Sequence, residues 1–328
     1  MGYVMTTTSS FQDVVNASVR ALFDTSKETI LSEMDGRELV TEYSPDVPAE
    51  QLSGISSPGY GVLTLEGQQY AANQLWREYP VTLTLRKYTS QLAYTEEDIH
   101  WLSKANAQKR ENRFTEIASN GLTPLTGNMN KDIAKMFYLG FGTTFFTGGD
   151  AVALFSASHP IRKTGGTQSN ILTSEYTLTT ASLDNAINQM NRFQAPSGIQ
   201  MRKVRRLRLV VPVELESTAQ QIITSLYGPT TANLGLQKSS SQQLRARGID
   251  IDYVVLPEMP TAYSAYWFVV DLDRAANRFF LASAWMPRMA QDTKYENGTY
   301  EIDASTLFGP VALGWQWVIG SRGTGGAL

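Results

Sequence analysis

Two histidines, no cysteine and a scatter of serines set narrow limits on the chemistry open to this chain. His159 stands in Leu154-Phe155-Ser156-Ala157-Ser158-His159-Pro160, next to a serine in sequence. A serine nucleophile needs a base aligned on its hydroxyl. Successive side chains of an extended segment point to opposite faces, so Ser158 and His159 do not meet by adjacency alone. The Gly-x-Ser-x-Gly elbow that presents a hydrolase serine is also missing here. His159 therefore reads as a structural residue, with a Ser158/His159 hydrolase as the weaker alternative. His100, between Ile99 and Trp101, reads as a surface or interface residue.

Phosphate and metal chemistry fare no better. Gly140-Phe141-Gly142 lacks a third glycine at the required place, and no Gly-Lys-Ser/Thr follows a glycine-rich loop. Gly165-Gly166, after Arg162 and Lys163, fits an anion turn or a plain tight reversal. Asp250 with Asp252, and Asp271 with Asp273, would share one face of a strand, which suits a hard cation or simply solvent. We expect no metal site and no cofactor. Without cysteine there are no disulfides, thiolate ligands or thiol nucleophiles. One basic run remains: Arg202, Lys203, Arg205, Arg206 and Arg208. It could meet nucleic-acid phosphates or pair with a neighbouring subunit, and the sequence leaves both open. Lys104, Lys109, Arg110 and Arg113 alternate with Glu111 and Glu116, which reads as a solvated face.

The composition points the same way. A net charge of -3 argues against a dedicated DNA-binding module. Only 18% of the 328 residues are charged, and uncharged polar residues take their place, as on surfaces that neighbours cover. No apolar run approaches the ~20 residues that span a bilayer, and no secretory signal opens the chain. The myristoylation match at Met1-Gly2 to Thr6 is short and has no polybasic companion.

The elements that must hold these residues follow from periodicity. Phe11, Val14, Val15, Val19, Leu22 and Phe23 share a helical face, and Pro45, Pro48, Gly54 and Pro58 then mark an extended path. Residues 59–94 read as a long two-sided excursion, with strands at 60–65 and 81–86. Thr95-Glu96-Glu97-Asp98 is a capping-box variant that opens a helix to about Ser119, stopped by Asn120-Gly121 and Pro124. A second helix covers 130–139. Leu183, Ala186, Ile187, Met190 and Phe193 define a helix over 182–194. A strand at 207–211 leads to Pro212, which opens a helix carrying Leu215, Ala219, Ile222 and Leu226. A polar loop at 228–248 follows, then strands at 251–256, 266–271 and 278–281. A hairpin turns at Asn297-Gly298, a last strand covers 311–319, and the tail 321–328 frays. The order is α+β, and an arm and a long hairpin cannot bury their apolar faces alone.

The segment 154–160, with Gly165-Gly166-Thr167-Gln168-Ser169-Asn170-Ile171-Leu172, resembles the signature of tailed-bacteriophage major head subunits of the Mu type. Arg206 to Glu216 is similar to the stretch leading into that family's axial domain. The resemblance implies a Hong Kong 97-type capsid fold. Its parts would be an N-terminal arm (1–58), an extended loop (59–94), a peripheral domain with a spine helix (95–204, with a return segment 276–328) and an axial domain (205–275). It implies hexamers and pentamers forming an icosahedral head around double-stranded DNA, built in the host bacterial cytoplasm and retained in the virion. No catalysis, cofactor or membrane partner is expected. Leu154, Phe155, His159, Pro160, Gly165, Ser169 and Asn170 become structural positions, with Pro160 fixing a bend and Gly165 a reversal. Some relatives crosslink through a lysine of the extended loop, whereas 59–86 has none. Only about 58 residues precede the loop, which favours a separate scaffolding protein, alongside portal and decoration proteins. An encapsulin-like cellular compartment is the alternative shell, and a tail or decoration protein is less favoured.

Overall fold

The computed structural model describes residues 21–24, 26–32, 34–56, 60–66, 68–70, 75–95, 97–98, 100–101, 107–161, 165–172, 177–224, 244, 246–289, 294–296 and 299–323. The expected arm face at 11–19, Leu226, the loop 228–243, the Asn297-Gly298 turn and the tail 324–328 lie outside them. Helical turns cover 21–24 and 26–32. Short strands β1 (Thr41–Tyr43), β2 (Gln51–Leu52), β3 (Ile55–Ser56), β4 (Trp76–Arg77) and β5 (Val81–Thr82) precede β6 (Arg86–Thr95) and the long helix α1 (Ala107–Tyr138). Then come β7 (His159–Pro160), β8 (Thr167–Gln168), α2 (Thr180–Asn191), β9 (Arg206–Val211), α3 (Glu216–Thr224) and β10 (Asp250–Val255). The chain finishes with β11 (Trp267–Asp271), α4 (Leu272–Ala275), β12 (Phe279–Met289), β13 (Lys294–Glu296), β14 (Thr299–Ala312) and β15 (Val318–Ser321).

Two sheets organise the body. In the first, β14 is central, antiparallel to β12 on one side and to β6 along all ten β6 residues on the other. β1 adds in parallel to β12, and β13 pairs with β14 from Lys294↔Glu301 to Glu296↔Thr299, on either side of the expected turn. The second sheet has the order β10-β9-β11-β15. Its β9 and β10 run parallel, so the chain between them must cross over, and it carries α3 on the way. All five β11 residues are buried, because both faces of this sheet are covered. Leu207, Leu209, Trp267, Val269 and Ile319 face the helices, in one core with Leu183, Ile187 and Met190 of α2. Val210, Phe268, Val270 and Val318 face the other way, into a core shared with α1 and the first sheet. Phe137 of α1 is the hub there, with ring centroids 5.3 Å from Phe268 and 5.9 Å from Phe279.

The expected break at Asn120-Gly121 and Pro124 does not occur, since α1 runs through it for 32 residues. Proline inside a helix costs about 3 kcal/mol. Pro124 and Asn120 both lie on the exposed side, where solvent can serve the freed carbonyl. On the opposite side Leu122, Leu125, Met129, Ile133, Met136 and Phe137 are all 0% exposed. At roughly 1.5–3 kcal/mol for each such side chain, the buried stripe outweighs the proline several times over. Tyr88 of β6 donates to Asp132 of α1 at 2.7 Å, and burial with that bond pushes its phenol up to about 12.

Other boundaries move for local reasons. Helix α2 starts at Thr180 behind a reciprocal capping box of Thr179 and Ser182, and stops before Phe193. The Thr95 cap forms as expected, with Thr95 N–H on Asp98 and Asp98 N–H on Thr95 Oγ1. Pro212 precedes a short 3₁₀ turn, Val213–Leu215, rather than the α-helix itself. Residues 60–65 are not a strand, and of 81–86 only Val81–Thr82 belongs to β5. The strand expected at 278–281 continues to Met289 through two register shifts. The last strand is split, because Gly314 takes a left-handed φ of 66° and breaks the run between Ala312 and Val318. The tail does not fray at its start, where Ser321 is 0% exposed and closes β15.

Candidate functional site

Leu154, Phe155, His159 and Asn170 converge on one buried junction between the two cores, with Pro160 and Ser169 half-buried beside it and Gly165 exposed. Leu154 and Phe155 lie under the C-terminal end of α1, with Phe155 4.8 Å from Phe141 and 5.1 Å from Phe268 between ring centroids. β7 and β8 form a small antiparallel pair, reversed by Gly165 at φ 67° and the Ile161 N–H bond to Gly166 O. Pro160 sits in that pair opposite Thr167. Asn170, 0% exposed, works as a four-way tie. Its Nδ2 donates to Leu154 O (2.8 Å) and Val318 O (3.4 Å), and its Oδ1 accepts from Ser156 N–H (2.9 Å). His159 Nε2 lies 3.1 Å from the same Oδ1, and Nδ1 lies 2.8 Å from Asp150 Oδ2. The imidazole stacks on Trp315 at 4.6 Å and 14°. Ser169 turns its hydroxyl onto Ile171, while Gln189 of α2 donates to Ser169 O at 2.7 Å.

This geometry supports a scaffold and offers no nucleophile. Both His159 nitrogens are engaged, and Asn170 occupies the place a reactive hydroxyl would need. Ser156 Oγ accepts from Ser158 N–H instead. Among the described residues no group of three histidine or carboxylate side chains could hold a metal. Asp271 caps α4 through Asp273 N–H and Arg274 N–H and pairs with Arg274, while Asp252 pairs with Arg208 at 2.8 Å. No helix among the described residues is long and apolar enough to cross a membrane. His100 is exposed and edge-on to Trp101, which is 67% exposed.

Sequence reasoning missed Asp150, Glu78 and Arg274. The available signal for Asp150 was its place after Gly148-Gly149, a tight turn that also holds Ala151 at φ 63°. That turn presses on the root of the hairpin made by β2–β5 and β3–β4. A Cβ on Gly149 would strike the carbonyls of Tyr79 and Pro80, and one on Gly309 the carbonyl of Thr84. Glu78 then meets Arg278 with two bonds, 2.5 and 2.9 Å, and is 5% exposed. Beyond this clasped root the described hairpin residues include large exposed apolar side chains: Leu63 is 88% and Tyr70 89% exposed.

The basic run divides. Arg208 pairs with Glu38 (2.6 Å) and Asp252, Arg206 with Asp273 (3.5 Å), and Lys203 Nζ donates to Arg247 O (2.7 Å). Arg202 and Arg205 are exposed, and Arg202 gives its carbonyl to Arg274.

The long helix on its sheet and the second, four-stranded sheet both fall within the match to one family model. The match is to the phage capsid protein family, over residues 78–320. The chain belongs to that family. Solved structures with the same fold include the capsid of Myoviridae phage XM1, at TM-score 0.51 and 10% identity over 90% of this chain and 92% of that one. A Mycobacterium phage Adephagia structure gives TM-score 0.52 and 10% identity, over 88% of this chain and 89% of that one. The capsid of an empty GTA particle gives 0.50 and 12% identity, over 87% and 88%. No curated protein matches the chain by sequence. This capsid protein therefore has the Hong Kong 97-type fold and a shell-building role in the virion.

Proposed function

We propose that this capsid protein is the major head subunit of a Mu-type tailed phage, forming hexamers and pentamers around double-stranded DNA and acting without catalysis. The observation that carries this reading is the hairpin, tied at its root by Glu78 and Arg278 yet uncovered at six large apolar side chains between Tyr60 and Leu75. Its own chain leaves that surface in water, and contiguous apolar exposure of this kind marks an interaction site. Residues 1–58 then act as the arm and 59–94 as the extended loop. The peripheral domain takes 95–204 with 276–328, and the axial domain 205–275. Assembly takes place in the host cytoplasm with a separate scaffolding protein, and portal and decoration proteins complete the head. The occupied ring of His159 supports a non-enzymatic role.

The contents of particles purified from producing cells test this reading. A head subunit should yield nuclease-protected double-stranded DNA. Particles that hold an enzyme and no DNA would overturn it in favour of a cellular compartment.

A further inference from the structure

We propose that His159 and Asp150 form a proton-operated latch, in which a doubly protonated His159 ring holds the 148–152 turn against the root of the hairpin. The inference starts from the direction of Asn170. Its Nδ2 donates to Leu154 O and Val318 O, and its Oδ1 accepts from Ser156 N–H. Turning the amide over would set its oxygen against two carbonyls and its amino group against an N–H, so the orientation is fixed. His159 Nε2, 3.1 Å from that Oδ1, must then donate. On the other side Nδ1 lies 2.8 Å from Asp150 Oδ2, while Asp150 Oδ1 accepts from Val152 N–H. An ionised carboxylate only accepts, so Nδ1 donates as well. A neutral imidazole has a single N–H; donation from both nitrogens makes the ring an imidazolium.

The surroundings suit that charge. Burial alone disfavours a charged imidazole, and this ring is 1% exposed. Against burial stand the Asp150 carboxylate and the face of Trp315, stacked at 4.6 Å. Of the residues lining the cavity beside the ring, Glu78, Tyr79 and Asp150 are the other titratable ones, and Arg278 holds Glu78. Trp315, Gln316, Gln194 and Pro196 face it from the remaining elements and carry no charge. The latch reaches the hairpin through the turn, because Gly149 lies so close to Tyr79 and Pro80 that a Cβ there would strike their carbonyls. Once the second proton leaves, Asp150 or Asn170 faces a bare nitrogen and the turn loses its hold. The cavity, about 40 Å³, has room for water to hydrate the freed carboxylate without unfolding the core. The turn is therefore held below the pH at which the folded ring gives up its proton, and released as the pH rises through it.

Magic-angle-spinning NMR of the full-length chain with isotope-labelled histidine reads the ring directly, whether the chain is dispersed or assembled. His100→Gln removes the other histidine, an exposed one, and leaves a single ring to observe. At about pH 7.5, above the ordinary imidazole value of about 6.5, His159 should show a proton on each nitrogen. Asp150→Asn keeps the shape but offers an amino group to Nδ1, so its ring should show one proton, on Nε2. In a pH series on the parent, the labelled carbon signals of Val152 and Ala153 should shift over the same range as the ring. In Asp150→Asn they should stay where they are. A bare ring nitrogen in the parent at about pH 7.5 would overturn the charged ring, including the case in which Asp150 keeps the proton. A ring that titrates while Val152 and Ala153 do not move would overturn the latch. Both of these readings come from the parent ring and turn, so they decide the matter even where Asp150→Asn fails to fold.

Discussion

Replacing Asn170 with leucine is expected to lower folding stability by about 4 kcal/mol, enough to remove most soluble, assembly-competent protein. Leucine nearly fills the same volume, so the loss comes from stranded polar groups rather than a cavity. Ser156 N–H, Leu154 C=O and His159 Nε2 would each lose a partner in a site that is 0% exposed. Each orphaned buried group costs about 1–3 kcal/mol. Denaturant unfolding should show a lower midpoint at unchanged slope. Hydrogen exchange should speed up first at the Ser156 amide and then along β15, which Asn170 binds at Val318 and Gly320. A loss below about 1 kcal/mol would mean that the junction is not what joins the two cores.

Arg274→Met is expected to cost about 3–5 kcal/mol by a different route. Arg274 is 9% exposed and joins three separate stretches, donating to Met190 O, Gln316 O and Arg202 O, while its Nε meets Asp271 at 2.9 Å. Removing it strands three carbonyls and leaves a buried carboxylate without its counter-ion. Burial already pushes the Asp271 carboxyl up and the Arg274 guanidinium down. An acid whose folded pKa lies above its unfolded one favours folding when protonated and loses that support as pH rises through the folded value. The Arg274→Met deficit should therefore shrink as pH falls into the carboxylate range. Asp271→Asn with Arg274→Met should lose less than Arg274→Met alone, since the stranded charge has gone. Equal losses for the single and double variants would show that the carbonyl contacts carry the effect.

Much of this was readable from local pattern. The strand expected at 207–211, the α2 stripe and the Thr95 cap follow from side-chain period and capping chemistry, which act within a few residues. What was not readable depends on distant partners. Asn120-Gly121 and Pro124 spell a break, and only the stripe from Leu122 to Phe137, buried against both sheets, overrides it. Glycines at 149 and 309 look ordinary until the hairpin root lies against them. Asp271 and Asp273 looked like a two-carboxylate face, whereas Asp271 is a helix cap whose partner stands three residues on. The signature at 154–170 announced its own importance but not its mechanism. His159 matters because Asp150 and Asn170 hold both of its nitrogens.

Single-particle electron microscopy of the purified full-length chain, alone and with a candidate scaffolding protein, decides whether this protein builds a shell. A shell subunit gives closed particles made of five- and six-membered rings, with density for residues 60–75 lying on a neighbouring copy. A chain that stays a compact monomer at high concentration under both conditions would contradict that role.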